Sequence, residues 1–109
     1  METGFDLETV ARVTRTLSDP NRLRIIQVLT MDCCSVSAIV EATGLPQPLV
    51  SHHLRMLREQ GLARPERRGA FTFYCLSDNT VAEAVALLGR LTARLTRLKE
   101  EIASHPPFK

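Results

Sequence analysis

The chain has 109 residues, of which 44% are hydrophobic and 24% charged, with Lys+Arg 14 against Asp+Glu 12. That length holds one domain of ordinary size, and that composition excludes a disordered or collagen-like chain. A net charge of +2 is too small to announce nucleic-acid binding by itself. Val10, Val13 and Leu17 recur at helical spacing behind Phe5, so residues 5–17 read as an amphipathic helix. Ser18-Asp19-Pro20 stops it, and Asp19 caps a second helix over 20–30 with Pro20 at its first position. Asp32-Cys33-Cys34-Ser35 is a break. A short helix over 36–43 ends at Gly44, where a left-handed residue is wanted. Pro46-Gln47-Pro48 opens the next, over 47–60, with Leu49, Val50, Leu54 and Leu57 as its apolar stripe and Gly61 at its end.

Beyond Gly61 the hydrophobic period changes from about 3.6 to 2. Residues 62–67 and 71–76 read as two strands joined at Arg68-Gly69-Ala70, and Pro65 confines the first to a sheet edge. Ser77-Asp78 caps a final helix over 78–104, closed by His105-Pro106-Pro107. The expected fold class is therefore mostly α with a small β-hairpin wing (α+β), in one domain spanning 1–109.

Charge is unevenly spread along these elements. Residues 1–50 carry 4 basic and 6 acidic groups, residues 51–70 carry 5 and 2, and residues 71–109 carry 5 and 4. Lys occurs only at 99 and 109; every other basic residue is Arg, the side chain suited to bidentate phosphate and guanine contacts. Residues 36–76 run helix, Gly-containing turn, second helix and hairpin, which is the order of a helix-turn-helix followed by a wing, and the positive stretch falls on the second helix and the hairpin. The second helix offers Gln47, Ser51 and His52 to base edges, Arg55 and Arg58 to phosphates, and His53 to packing or phosphate. Arg64, Arg67 and Arg68 sit on the hairpin, within reach of the backbone or minor groove. On the last helix, Leu88, Leu91, Leu95, Leu98 and Ile102 form a heptad-like seam, expected at a dimer interface between terminal helices.

Leu17-Ser18-Asp19-Pro20-Asn21-Arg22-Leu23-Arg24-Ile25, Leu45-Pro46-Gln47-Pro48-Leu49-Val50-Ser51-His52-His53-Leu54 and Leu57-Arg58-Glu59-Gln60-Gly61-Leu62 resemble the signature segments of the ArsR/SmtB family. Pro46 departs from the small polar residue usual at that helix cap. The resemblance covers about residues 7–100. It implies a winged helix-turn-helix homodimer that binds double-stranded operator DNA as a transcriptional repressor and is released by a metal or a thiol reaction. No enzyme activity is expected: the chain has no Cys-x-x-Cys, and no nucleophile, base and oxyanion donors converge.

The family's zinc-type site on the last helix needs Asp-x-His and a second His pair. Asp78 matches, but Thr80, Leu91 and Arg94 stand at the other positions, so Asp78 reads as a helix cap. The family's thiolate site uses Cys-x-Cys near the start of the third helix. Ser35-Val36-Ser37 stand there, with Cys33 and Cys34 just before. In a winged helix, residues 33–35 form a short strand beside the strand that holds Cys75. Cys33, Cys34 and Cys75 are thus candidates for one soft-ion site, such as As(III). Release by such a soft metal or metalloid is the leading expectation; strand alternation makes Cys33 the better cross-strand partner of Cys75, and the alternative is that this pair forms a reversible disulfide or persulfide switch. A regulator with no cysteine sensing, and a protein-interaction module that has lost DNA binding, are further alternatives. An odd number of cysteines, two of them adjacent, is not a disulfide framework. Met1–Val10 has no secretory pattern, and no window reaches the roughly 18 apolar residues of a membrane span. A cytoplasmic protein with no membrane partner and no obligatory cofactor is expected.

Overall fold

The computed structural model describes residues 4–104. The expected closure at His105-Pro106-Pro107 lies outside the described residues. Five helices and three strands follow in the order α1 (Leu7–Thr16), α2 (Pro20–Met31), β1 (Cys34–Ser35), α3 (Val36–Thr43), α4 (Gln47–Glu59), β2 (Ala63–Arg68), β3 (Phe71–Leu76) and α5 (Asn79–Ser104). The sheet is antiparallel with strand order β1-β3-β2.

The local chemistry accounts for most boundaries. α1 starts at Leu7 rather than Phe5 because Asp6 is its cap: the carboxylate accepts from Glu8 N at 3.1 Å and from the Thr9 hydroxyl at 2.6 Å. Asp19 caps α2, accepting from Asn21 N at 2.8 Å and Arg22 N at 3.3 Å. Gly44 ends α3 in the left-handed region, φ 73°, and its N–H donates to Val40 O at 2.8 Å. Pro65 lies on β2, an edge of the sheet, where its missing N–H leaves no gap in a central ladder. Asp78 caps α5, accepting from Thr80 N at 3.0 Å and from the Thr80 hydroxyl.

The core is small and continuous. Ile25, Ile26 and Leu29 of α2 meet Ile39 of α3, Val50, Leu54 and Leu57 of α4, and Ala63 of β2. α3 and α4 thus share one apolar floor with α2, which fixes the angle between the two helices. α5 joins this core only near its start, through the half-buried Val81 and Val85. From Ala86 to Ser104 every α5 residue is exposed. The 26-residue helix is about 39 Å long at 1.5 Å per residue, and it stretches the chain to 66 × 38 × 21 Å.

Candidate nucleic-acid interface and thiol centre

α4 divides cleanly into two faces. Val50, Leu54 and Leu57 are buried, while Gln47, Ser51, Arg55 and Arg58 follow one another at helical spacing on the outer side. His52 is also exposed, on the flank of that face. Pro46 occupies the N-cap position and makes no side-chain cap hydrogen bond; its carbonyl accepts from Leu49 N and Val50 N, each at 3.0 Å, and Pro48 has no N–H. The positive dipole end of this terminus suits a phosphate.

Of the two places expected for His53, packing or a phosphate contact, the structure shows packing, and His53 leaves the candidate DNA-binding set. It is 4% exposed, three residues after Val50 and four before Leu57, and so falls within the buried stripe. Its Nδ1 lies 3.2 Å from Arg22 Nη1, and its Nε2 lies 4.0 Å from Asp19 Oδ1. A guanidinium only donates, so Nδ1 is the acceptor and the ring proton sits on Nε2, toward Asp19. Burial depresses the His53 pKa, and Arg22 and His52 add to this against the opposing pull of Asp19. Burial alone would raise the Asp19 pKa, but the N–H groups of Asn21 and Arg22 and nearby positive charge hold it below its ordinary value. Arg22 Nε also donates to Thr16 O at 2.6 Å. The end of α1, the start of α2 and the middle of α4 are therefore tied by one polar knot, which orients α4 from behind its outer face.

The wing presents two faces by strand alternation. Arg67 lies on one side, its Nε 3.5 Å from Gly69 O. Arg64, Glu66 and Arg68 lie on the other, across from Cys75, Phe73 and Phe71 in register. Arg68 donates to Glu66 Oε2 at 2.8 Å and stacks 4.7 Å above the Phe73 ring centroid. Arg67 at the hairpin end is more available than Arg68.

At the root of this second face, Cys33 and Cys75 are joined by a disulfide, with Cα atoms 4.4 Å apart and a sequence separation of 42. Cys75 is 3% exposed yet sits off the main core, beside Cys33 and Glu66. Glu66 Oε2 is 3.3 Å from Cys75 Sγ. A disulfide sulfur has no proton to give; in the dithiol the same geometry makes Cys75 a donor to the carboxylate. Glu66 carries no signal of its own in the sequence, although its diagonal position to Cys75 on one sheet face follows from the register.

The single three-thiolate site is not formed. Cys34 pairs with Tyr74 across β1 and β3 and turns to the opposite face, against the core. Its Sγ donates to Asp32 O at 3.4 Å, and burial followed by the Asp32 charge pushes its pKa up, so it remains a thiol. Successive residues on a strand point to opposite faces, and Cys33 and Cys34 obey that rule. Ser35, at a position where the family resemblance expects a thiolate, instead caps α3 by accepting from Ala38 N at 3.2 Å.

A helix-turn-helix with an arginine-bearing wing defines a DNA-binding regulator of winged-helix architecture. The profile described as "Bacterial regulatory protein, arsR family" matches residues 19–64. The chain is 32% identical over 85 residues to an uncharacterized HTH-type transcriptional regulator of Methanocaldococcus jannaschii, covering 77% of this chain and 96% of that protein. It is 35% identical over 80 residues to a cadmium resistance transcriptional regulatory protein CadC homolog of Staphylococcus aureus, covering 70% of this chain and 64% of that one. Among solved structures it resembles the homodimeric winged helix-turn-helix DNA-binding domain of Mb0332 from Mycobacterium bovis, with TM-score 0.74, 32% identity, and coverage of 80% and 81%. The chain belongs to the ArsR family of winged helix-turn-helix transcriptional regulators.

Proposed function

We propose that the chain acts in the cytoplasm as a homodimeric repressor, holding double-stranded operator DNA through α4 and the wing, and that Cys33 and Cys75 sense the signal that releases it. The DNA-facing residues are Gln47, Ser51 and His52 at base edges and Arg55, Arg58, Arg67 and Arg68 at phosphates. Arg64 stands behind them on the wing. Leu88, Leu91, Leu95, Leu98 and Ile102 form the seam between the two α5 helices, so that two recognition helices lie about one DNA turn apart.

The observation that carries the sensing reading is the Cys33–Cys75 disulfide between the wing and the segment leading into α3. In a reducing compartment such a bond is a reversible signal rather than a permanent staple. The dithiol form binds the operator; oxidation by a peroxide, disulfide or persulfide donor clamps the wing to the start of the helix-turn-helix and lowers affinity. Coupling of about 1–3 kcal/mol between thiol state and DNA is the usual range.

A second reading is release by a soft ion, As(III) or a thiophilic metal, on the reduced pair. It is favoured by the ligand atoms of Cys33, Cys75 and Glu66 lying within 4.8 Å of one another.

The DNA assignment is tested by fluorescence anisotropy on the protein's own promoter region across a salt series. Changing Arg67 and Arg68 together to Ala should weaken binding to every sequence and reduce the salt slope by about one for each phosphate no longer neutralised. Gln47→Ala should alter base preference instead. A double variant with the parent's salt slope removes the wing from the interface.

A further inference from the structure

We propose that Glu66 completes a two-thiolate, one-carboxylate site with Cys33 and Cys75 in the reduced protein, and that this site takes a divalent borderline cation of the Zn(II) or Cd(II) type in preference to As(III). The proposal rests on the soft-ion reading above and deepens it. The three donors come from three segments: the stretch before β1, β2 and β3. Cys33 and Glu66 are half-buried, which leaves an approach from solvent, while Cys75 forms the closed floor.

The geometry is close to a ligand set already. Zinc bonds of about 2.3 Å to sulfur and 2.1 Å to oxygen, at tetrahedral angles, put a sulfur and an oxygen ligand roughly 3.6 Å apart. Cys75 Sγ and Glu66 Oε2 stand 3.3 Å apart. The same bond lengths put two sulfur ligands roughly 3.8 Å apart, a separation that opens once the disulfide is broken. That step takes two electrons and two protons from a dithiol or phosphine reductant in water and yields the Cys33 and Cys75 thiols. The cation then displaces one proton from each thiol to solvent, and Glu66 joins as a carboxylate.

Charge also closes. Two thiolates and a carboxylate around a divalent ion leave one net negative charge. Arg68 Nη2, 2.8 Å from the same Glu66 oxygen, supplies the compensating positive charge and holds the carboxylate in place. As(III) is best served by three sulfurs, and the third thiol, Cys34, is on the other face of the sheet. A carboxylate as third donor shifts the preference toward a borderline divalent ion.

The full chain, kept reduced by a phosphine without thiols, is titrated with Cd(II) while thiolate-to-metal ultraviolet absorption is followed, and folding is checked by circular dichroism. One ion per chain is expected, with absorption of two thiolates. Cys33→Ser and Cys75→Ser should each lose it, and Cys34→Ser should match the parent. Glu66→Gln should bind Cd(II) at least about tenfold more weakly with unchanged absorption per bound ion, while its affinity for arsenite stays that of the parent. Parental Cd(II) affinity in Glu66→Gln, or loss of absorption in Cys34→Ser, overturns the site. If Glu66→Gln is parental while oxidation still releases the operator, the cation site falls and the thiol switch stands. If Cd(II) binds as described but oxidation leaves operator affinity unchanged, the switch falls and the site stands.

Discussion

His53 is the residue whose role is most at odds with its surroundings in sequence. It stands beside exposed His52 in a basic helix, yet it is 4% exposed and bound to Arg22. Fold and charge state are linked through it. Because folding depresses its pKa below the ordinary 6.5, the unfolded chain binds more protons in the window between the two values. Stability from neutral His53 is therefore full above about pH 6.5 and is lost as pH falls through the lower, folded value. Thermal unfolding recorded from neutral to mildly acidic pH should show this decline, and His53→Ala should flatten it. At neutral pH the same variant should cost about 1–3 kcal/mol in urea unfolding, because the Arg22 guanidinium loses a buried acceptor. A variant as stable as the parent, with the parent's pH dependence, would show that the polar knot does not support the fold.

The elements differ in how far they can be read from sequence. Caps and stops are plain because each is a local event: Asp19 before Pro20, Gly44 after a short apolar run, and Ser77-Asp78 before the last helix. The turn between α3 and α4 relies on this kind of signal. Gly44 has φ 73° and open space where a Cβ would be, so Gly44→Ala costs backbone strain alone, about 1–2 kcal/mol, measurable by urea unfolding. A loss above about 4 kcal/mol would mean a steric clash that the open space argues against. β1 has two residues, too few for any periodicity, and only its pairing with β3 defines it. That is why the thiols are harder to place: three cysteines close in space look like one site until the pleat sets Cys34 apart. The outer face of α4 is easier, since the 3.6-residue period separates Gln47, Ser51, Arg55 and Arg58 from Val50, Leu54 and Leu57. The same period puts His53 in the buried stripe, one turn from Val50, but the charge of its neighbours masks that signal. Glu66 is hidden for another reason: its importance depends on strand register, which no local signal in β2 reveals.

At the scale of the whole molecule, one protomer leaves Leu91, Leu95 and Leu98 between 42% and 46% exposed on a helix with no buried residue. A radius of gyration of 17.4 Å exceeds the value of about 13 Å for a compact domain of 100 residues. Both observations fit a helix that is completed by a second copy. Leu91→Glu with Leu98→Glu should convert the dimer to monomer in sedimentation velocity and abolish operator binding at concentrations where the parent saturates. A dimer in the double variant would move the interface elsewhere. On the proposed function, thiol state and DNA are coupled in this assembled molecule, and that coupling must be reciprocal. The most direct measurement is the reduction midpoint of the Cys33–Cys75 pair in the Cys34→Ser protein, with and without saturating operator, by thiol trapping in graded dithiol buffers. On the proposed switch the operator favours the dithiol, so DNA should raise the midpoint by about 20–65 mV, the equivalent of about 1–3 kcal/mol for a two-electron couple. An identical midpoint with and without operator would contradict the claim that this pair governs DNA binding.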